Sequence, residues 1–251
     1  MDGTLLNSNH EVSDRFLNQF QKLKEKNIKF VAASGRQYHS MREKLHAIKD
    51  DIIFIAENGG LAKEGEKELL VNPLSKNTQL KLLQKINSVP GTHAMLCGKY
   101  TSYFDESSSQ FLDMLKEYYS EYKVVENFNE VDDEILKVAV YHDTNAEKYV
   151  YPNFKDLENE VKVKVSGRHW VDLNNITAHK GHALQKVMDL YNLQPNQVLA
   201  FGDYNNDIEM LSLVDYSFAM ANAHASVKKI ATYETKSNDA YGVESVLEKL
   251  I

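Results

Sequence analysis

The sequence predicts an α/β protein, a parallel-sheet core interrupted by an inserted α+β domain. Two compact β-rich runs, residues 28–33 and 198–201, end abruptly on Ser34-Gly35-Arg36 and Gly202-Asp203 before helical patterns begin. Helical and strand periodicities alternate with short connections near both ends of the chain, as crossover-linked parallel strands require. Between residues 75 and 175 this alternation gives way to paired strands separated by helices, the texture of a separate α+β unit.

Taken in order, Val12, Phe16, Leu17, Phe20 and Leu23 recur at helical spacing, with Ser13 available as a cap. A strand is expected over 28–33, a helix over 37–48 and an apolar strand over 52–55. After Asn58-Gly59-Gly60 the texture changes, and residues 61–63 and 69–71 suit a hairpin around Gly65. The inserted region reads as helix 76–86, strands 93–96 and 100–104, helix 110–119, strand 136–141, helix 146–158 and a strand pair at 161–165 and 169–173. Alternation returns with a helix over 180–191, a strand over 198–201, a helix over 207–213 and a strand over 216–219. The expected division is a core of residues 1–74 and 176–251 and an insertion of residues 75–175, since insertions enter their hosts at surface loops. No repeat or low-complexity stretch is evident, and Ser107-Ser108-Ser109 reads as a short cap or turn.

Composition narrows the function. The 251 residues are 43% hydrophobic and 26% charged, with 29 Lys and Arg against 36 Asp and Glu, a formal charge of −7. That balance lacks the basic footprint of a nucleic-acid partner. It leaves small anions open as ligands, because one local lysine and a metal outweigh a distant net charge. The single Cys97 excludes an intramolecular disulfide and suits a reducing cytoplasm; Met95-Leu96-Cys97-Gly98 reads as a strand end with a buried small hydrophobe. No apolar run approaches the roughly 18 residues a membrane span needs. We therefore expect a soluble cytoplasmic protein, a monomer or weak homodimer.

Four short segments carry chemistry. Phe201-Gly202-Asp203-Tyr204-Asn205-Asn206-Asp207 follows a buried strand, so its two carboxylates lie where open α/β sheets bind ligands. Carboxylates four apart with amides between suit a hard cation such as Mg²⁺, though Asp and Asn also cap helices in ordinary turns. Ser34-Gly35 offers a hydroxyl and backbone N–H groups at a helix start, a ready phosphate site, or simply a cap. Lys180 begins a helix with apolar positions Ala183, Leu184, Val187 and Leu190; a cation there opposes the helix dipole, a cost that a bound anion would offset, and a solvated lysine is the alternative. His179 and His182 lack metal-ligand spacing with other His or Cys. Asp2-Gly3-Thr4 places a carboxylate beside a flexible turn and a hydroxyl. The order Asp-Gly-Thr, Ser-Gly-Arg, Lys-Gly and Gly-Asp-x-x-Asn-Asp is far more specific than any one part.

With these segments, and with Met220-Ala221-Asn222-Ala223 and 237–243 near the end, the whole chain resembles the haloacid dehalogenase superfamily of phosphatases, specifically its Cof-type group. The resemblance implies a Rossmann-like core and a type IIB cap over 75–175 that chooses the substrate. It implies hydrolysis of small phosphate monoesters through an aspartyl-phosphate, with Mg²⁺ as cofactor and a phosphorylated metabolite as partner. Asp2 matches the general acid/base and, through its backbone carbonyl, a metal ligand; Thr4, Ser34, Gly35, Lys180 and Asn206 match phosphate contacts. Asp203 matches a metal ligand, and Asp207 a residue supporting the metal or Lys180. Arg168, His169 and Trp170 could face substrate or serve as packing and rim.

The family's first motif is Asp-x-Asp-Gly-Thr, and Met1 falls on its middle position. The expected nucleophile therefore stands just before Met1, and the chain as given is expected to begin at an internal methionine and to show little or no turnover. Rival readings are phosphoryl transfer between sugar positions, as in phosphomannomutases, and a non-catalytic phosphometabolite-binding protein. A nucleotide-binding domain lacks support, because neither Gly-x-Gly-x-x-Gly nor a Walker loop is present.

Overall fold

A computed structural model describes residues 1–106 and 121–251. The chain divides into two compact units, Met1–Leu70 with His179–Ile251, and Val71–Ala178. The chain crosses between them a few residues outside the crossings expected from the sequence.

The first unit holds two ladders. Strands β1 (Val31–Ala33), β2 (Ile53–Ala56), β3 (Leu61–Glu64) and β4 (Lys67–Val71) line up in that order. The pair β1–β2 is parallel, with Val31 opposite Ile53, whereas β2–β3 is antiparallel. The other ladder is parallel throughout, β11 (Leu199–Gly202), β12 (Tyr216–Ala219) and β13 (Tyr233–Glu234). The parallel pairing expected of an α/β core is thus present, its strands falling in two ladders. Residues 1–6 tie the two: the Met1 amino group donates to the Ala33 carbonyl at 3.4 Å, and the Thr4 hydroxyl donates to Asp203 beyond β11.

Helices cover these strands for local reasons. Ser13 Oγ accepts from the Phe16 N–H at 3.0 Å and caps the helix Asp14–Glu25, whose Phe16, Phe20 and Leu23 are buried. Phe30 joins them, with its ring 5.1 Å from that of Phe16. The helix Lys180–Leu190 starts on a His179 cap and buries Ala183, Leu184, Val187 and Met188 against Ile53, Ile55 and Leu211. Each of the larger of these side chains, Leu184, Val187 and Met188, contributes about 1.5–3 kcal/mol from apolar burial. The helix expected over 37–48 forms only across Tyr38–Lys44, and that expected over 207–213 is a 3₁₀ turn, Asn205–Asp207, followed by Ile208–Leu211.

The second unit is a six-stranded sheet in the order β7 (Tyr122–Val125), β6 (Ser102–Asp105), β5 (Thr92–Gly98), β8 (Ile135–His142), β10 (Trp170–Asn175), β9 (Val161–Gly167). Leu82, Ile86, Leu96, Val138, Val140, Phe154 and Leu173 form its main core. Cys97 is fully buried among Met95, Phe104 and Ala139, as its strand-end reading anticipated. Strand β7, which pairs parallel with β6, was not expected. The helix expected over 146–158 is instead two short helices, Ala146–Tyr149 and Tyr151–Phe154, and the 3₁₀ turn Lys155–Leu157. Pro152 explains the break, since it has no N–H to give to a continuous helix. The helix expected over 110–119 and the turn at 107–109 lie outside the described residues. Among the described residues, no helix is long and apolar enough to cross a membrane.

Candidate active site

All eight side chains and glycines singled out from the sequence belong to the first unit, at or beside the carboxyl ends of β1 and β11. Strand ends deliver them because a parallel strand points all its following loops to one edge.

Lys180 and Asp207 form the buried centre. Lys180 Nζ donates to Asp207 Oδ1 at 2.7 Å, and both residues are 4% exposed. The second oxygen of Asp207 accepts the backbone N–H groups of Asp203 and Tyr204 at 3.0 and 3.2 Å. Burial alone would raise the Asp207 carboxyl, but the Lys180 charge, the nearby Met1 amino group and these hydrogen bonds outweigh it and hold it below the usual range. Gly202 fits here because a Cβ on it would lie 2.6 Å from Asp207 Cβ.

Asp203 is different in kind. Its carboxylate accepts from the Thr4 hydroxyl, and burial, aided by the Asp207 charge, pushes it above its ordinary value despite that bond. The approach of the first turn is tight: Gly3 has φ +66°, and a Cβ there would meet Asp203 Oδ2 at 2.4 Å. Thr4, matched above to a phosphate contact, thus directs its hydroxyl to Asp203. Asn222 Nδ2 holds the Gly3 carbonyl at 2.8 Å.

Asp2 points to the second strand end. Arg36 clasps it with two bonds of 2.7 Å, Nε to Oδ2 and Nη2 to Oδ1, and His10 Nδ1 lies 3.1 Å from Oδ1. Burial would raise Asp2, yet the Arg36 bonds and charge, with lesser help from the Met1 amino group and His10, depress it well below the usual carboxylate range. Asp2 is therefore ionised here. The Met1 amino group is itself lowered by burial and by the Lys180 charge, and it feels Asp207, Asp203 and Asp2, so the chain start lies among these groups.

Ser34 and Gly35 follow β1. Ser34 Oγ accepts from the Arg36 N–H at 3.2 Å, and the Ser34 carbonyl accepts from the Asn58 N–H at 3.0 Å. Asn206 donates Nδ2 to Asn58 Oδ1 at 2.9 Å. Among the described residues, no three His, Cys, Asp or Glu side chains form a set that could hold a metal. Sequence reasoning missed Arg36 as the partner of Asp2 and missed Asn58 altogether. The available signal for Asn58 was its place just after the apolar strand 52–55, at the same edge as Ser34.

An α/β core whose parallel-strand ends gather carboxylates, a hydroxyl and a buried lysine has the build of a hydrolase. The chain belongs to the haloacid dehalogenase-like hydrolase family, which it matches over residues 1–247. It is 31% identical over 257 residues to 5-amino-6-(5-phospho-D-ribitylamino)uracil phosphatase YbjI of Escherichia coli strain K12, covering 100% of this chain and 94% of that protein. A Bacillus subtilis protein of the same enzyme name, YitU, is 25% identical over 261 residues, covering 99% and 94%. Among solved structures, SMU.1108c from Streptococcus mutans UA159 superposes with a TM-score of 0.89 at 29% identity, covering 100% of this chain and 96% of that one. The subclass IIB sugar phosphatase BT4131 superposes at 0.85 with 17% identity over 100% and 96%, a likeness of fold. By this family membership the chain is a phosphatase.

Proposed function

We propose that this phosphatase hydrolyses small phosphate monoesters with Mg²⁺, through an aspartyl-phosphate formed on a carboxylate at the position preceding Met1. The observation that carries the reading is the buried Lys180–Asp207 pair beside Asp203, with the Met1 amino group electrostatically among them. A carboxylate one residue upstream would enter that cluster.

The donor set fits a hard cation. Asp203 is a half-buried carboxylate pushed toward its neutral form by desolvation and by Asp207, so a cation beside it relieves the strain of its charge. Asp203 and the Asp2 backbone carbonyl would hold Mg²⁺, with waters completing its oxygen shell. When bound, the ion neutralises charge on the phosphate and on the attacking carboxylate. Asp207, with both oxygens already engaged, acts by holding Lys180 and not as a ligand. Lys180 sets a fixed positive charge against the phosphoryl oxygens. Ser34 and Gly35 supply a hydroxyl and a backbone N–H at the second strand end, and Asn206 an amide.

In the first half-reaction the carboxylate oxygen bonds to phosphorus and the bond to the leaving oxygen breaks, the leaving oxygen taking a proton. In the second, water attacks phosphorus, its proton passes to a base, and the carboxylate is released. That base is assigned to Asp2, which is ionised but, with both oxygens clasped by Arg36, stays a weak base until the clasp opens. Delivering the first proton requires Asp2 to part from Arg36. The region 75–175 is assigned as the cap that selects the leaving group. The relatives named for 5-amino-6-(5-phospho-D-ribitylamino)uracil make a phosphorylated polyol carrying a heterocycle the first substrate to try.

The test is phosphate release by a form of the chain preceded by a short segment ending in Asp, with and without Mg²⁺. Mg²⁺-dependent release, lost on Lys180→Met, is the expected result. An extended form that releases no phosphate from any member of a broad phosphometabolite panel would overturn the proposal.

A further inference from the structure

The turn after β2 is bent into a strained backbone. Glu57 and Asn58 both adopt the left-handed region, at φ 49° and 56°, and Gly59 follows at φ +99°. Consecutive left-handed residues that are not glycine are uncommon and strained.

The turn touches all three segments that surround the phosphate position. Glu57 N–H donates to the Arg36 carbonyl and Asn58 N–H to the Ser34 carbonyl, both at 3.0 Å. A Cβ on Gly59 would lie 2.5 Å from the His179 carbonyl, one residue before Lys180. The Asn58 side chain fills the space above Gly35, where a Cβ would meet its Oδ1 at 2.9 Å, and the same Oδ1 accepts from Asn206 Nδ2 at 2.9 Å.

That last bond has a chemical consequence. A primary amide offers an oxygen acceptor at one end and two N–H donors at the other, and only the donor end can bind phosphate. By accepting one N–H of Asn206, Asn58 fixes which end is which and leaves the second N–H for an anion. We infer that Asn58 is a positioning residue of the phosphate site, orienting the Asn206 amide so that it presents N–H and not C=O to the bound anion. The inference rests on the phosphate-binding role proposed above for Ser34, Gly35, Lys180 and Asn206. Removing the acceptor frees the amide to rotate, and the orientations that present oxygen repel the anion.

The test measures inorganic phosphate affinity of the full chain by calorimetric titration for wild type, Asn58→Gly, Asn206→Ala and the double variant. Glycine accepts the left-handed backbone, so N58G removes the side chain without adding strain. N58G is expected to weaken phosphate binding about fivefold, the scale of one hydrogen bond, with its unfolding midpoint unchanged. Because Asn58 acts through Asn206, the double variant is expected to bind no more weakly than N206A alone, whereas independent sites would add. Unchanged affinity in N58G, or additive losses in the double variant, would overturn the inference while wild-type binding left the proposed function standing. Absence of phosphate binding by the wild type would instead remove the reading on which it rests.

Discussion

Lys180 Nζ and Asp207 Oδ1 sit 2.7 Å apart, and each side chain is almost wholly removed from solvent. The other oxygen of Asp207 accepts two backbone N–H groups of the loop that also carries Asp203. The pair thereby fixes the helix start at 180 to the loop after β11. Removing one partner leaves an uncompensated buried charge, and Asp207→Asn or Lys180→Met is expected to lower stability by about 3–5 kcal/mol. Neutralising both, as in K180M/D207N, should restore much of that loss, because no charge is then desolvated and the Asn oxygen still accepts the two backbone N–H groups. Urea unfolding of the three variants checks this; a double variant as unstable as the sum of the singles would contradict it.

The Asp2–Arg36 clasp predicts a pH signature. Its folded carboxyl is depressed below the usual 3.8. A depressed acid contributes stability that is complete above the unfolded value and is lost as the pH falls toward the folded one. The pair is partly exposed, so its contribution is about 1 kcal/mol at neutral pH. The stability gap between wild type and Arg36→Met should therefore be present at neutral pH and close in acid below 3.8. Denaturation midpoints measured across that range decide it, and a gap independent of pH would exclude the ion pair as its source.

Mg²⁺ binding can be read without turnover. If Asp203 and the turn at Asp2 hold the ion, saturating Mg²⁺ should raise the thermal midpoint by about 3 °C, and EDTA should reverse it. Asp203→Asn should abolish the shift. Gly3→Ala should diminish it too, because its Cβ would stand 2.4 Å from Asp203 Oδ2 and must displace that carboxylate. A full shift in D203N would move the metal elsewhere.

The parts of the site legible in the sequence are those encoded within one short segment. Ser34 and Asp203 follow buried runs and precede helices, so periodicity alone puts them at a strand end. Lys180 was marked by a cation at a helix start. Arg36 and Asn58 were not legible, because their partners, Asp2 and Asn206, are distant in sequence and no periodicity links them. The same limit hid β7, a short strand whose residues Lys123 and Val124 are both exposed, giving no apolar alternation to detect. The helical spacing over 146–158 contains Pro152, whose missing N–H decides the local structure against one continuous helix. Each ladder of the first unit pairs strands that follow one another in the chain, an order the sequence displays, whereas whether two ladders join is decided by hydrogen bonds that leave no mark in local periodicity.

Two glycines offer a clean separation of stability from binding. Gly65, in the turn between β3 and β4, has φ +55° and nothing within 4 Å of a Cβ added there. Gly65→Ala therefore strains only the backbone, and should cost about 1 kcal/mol of stability while leaving phosphate affinity unchanged. Gly35 carries no such left-handed constraint, but its Cβ would press on the Asn58 amide, with Oδ1, Nδ2 and Cγ at 2.9, 3.1 and 3.3 Å. Those atoms end a flexible side chain, which can shift at small cost to the fold, yet any shift takes Oδ1 away from Asn206. Gly35→Ala should thus lose phosphate affinity while unfolding near the wild-type midpoint, the reverse of Gly65→Ala. Urea titration and phosphate calorimetry on both variants provide the comparison. If G35A lost stability and affinity in proportion, the alanine would be disturbing the whole loop and not the orientation of one amide.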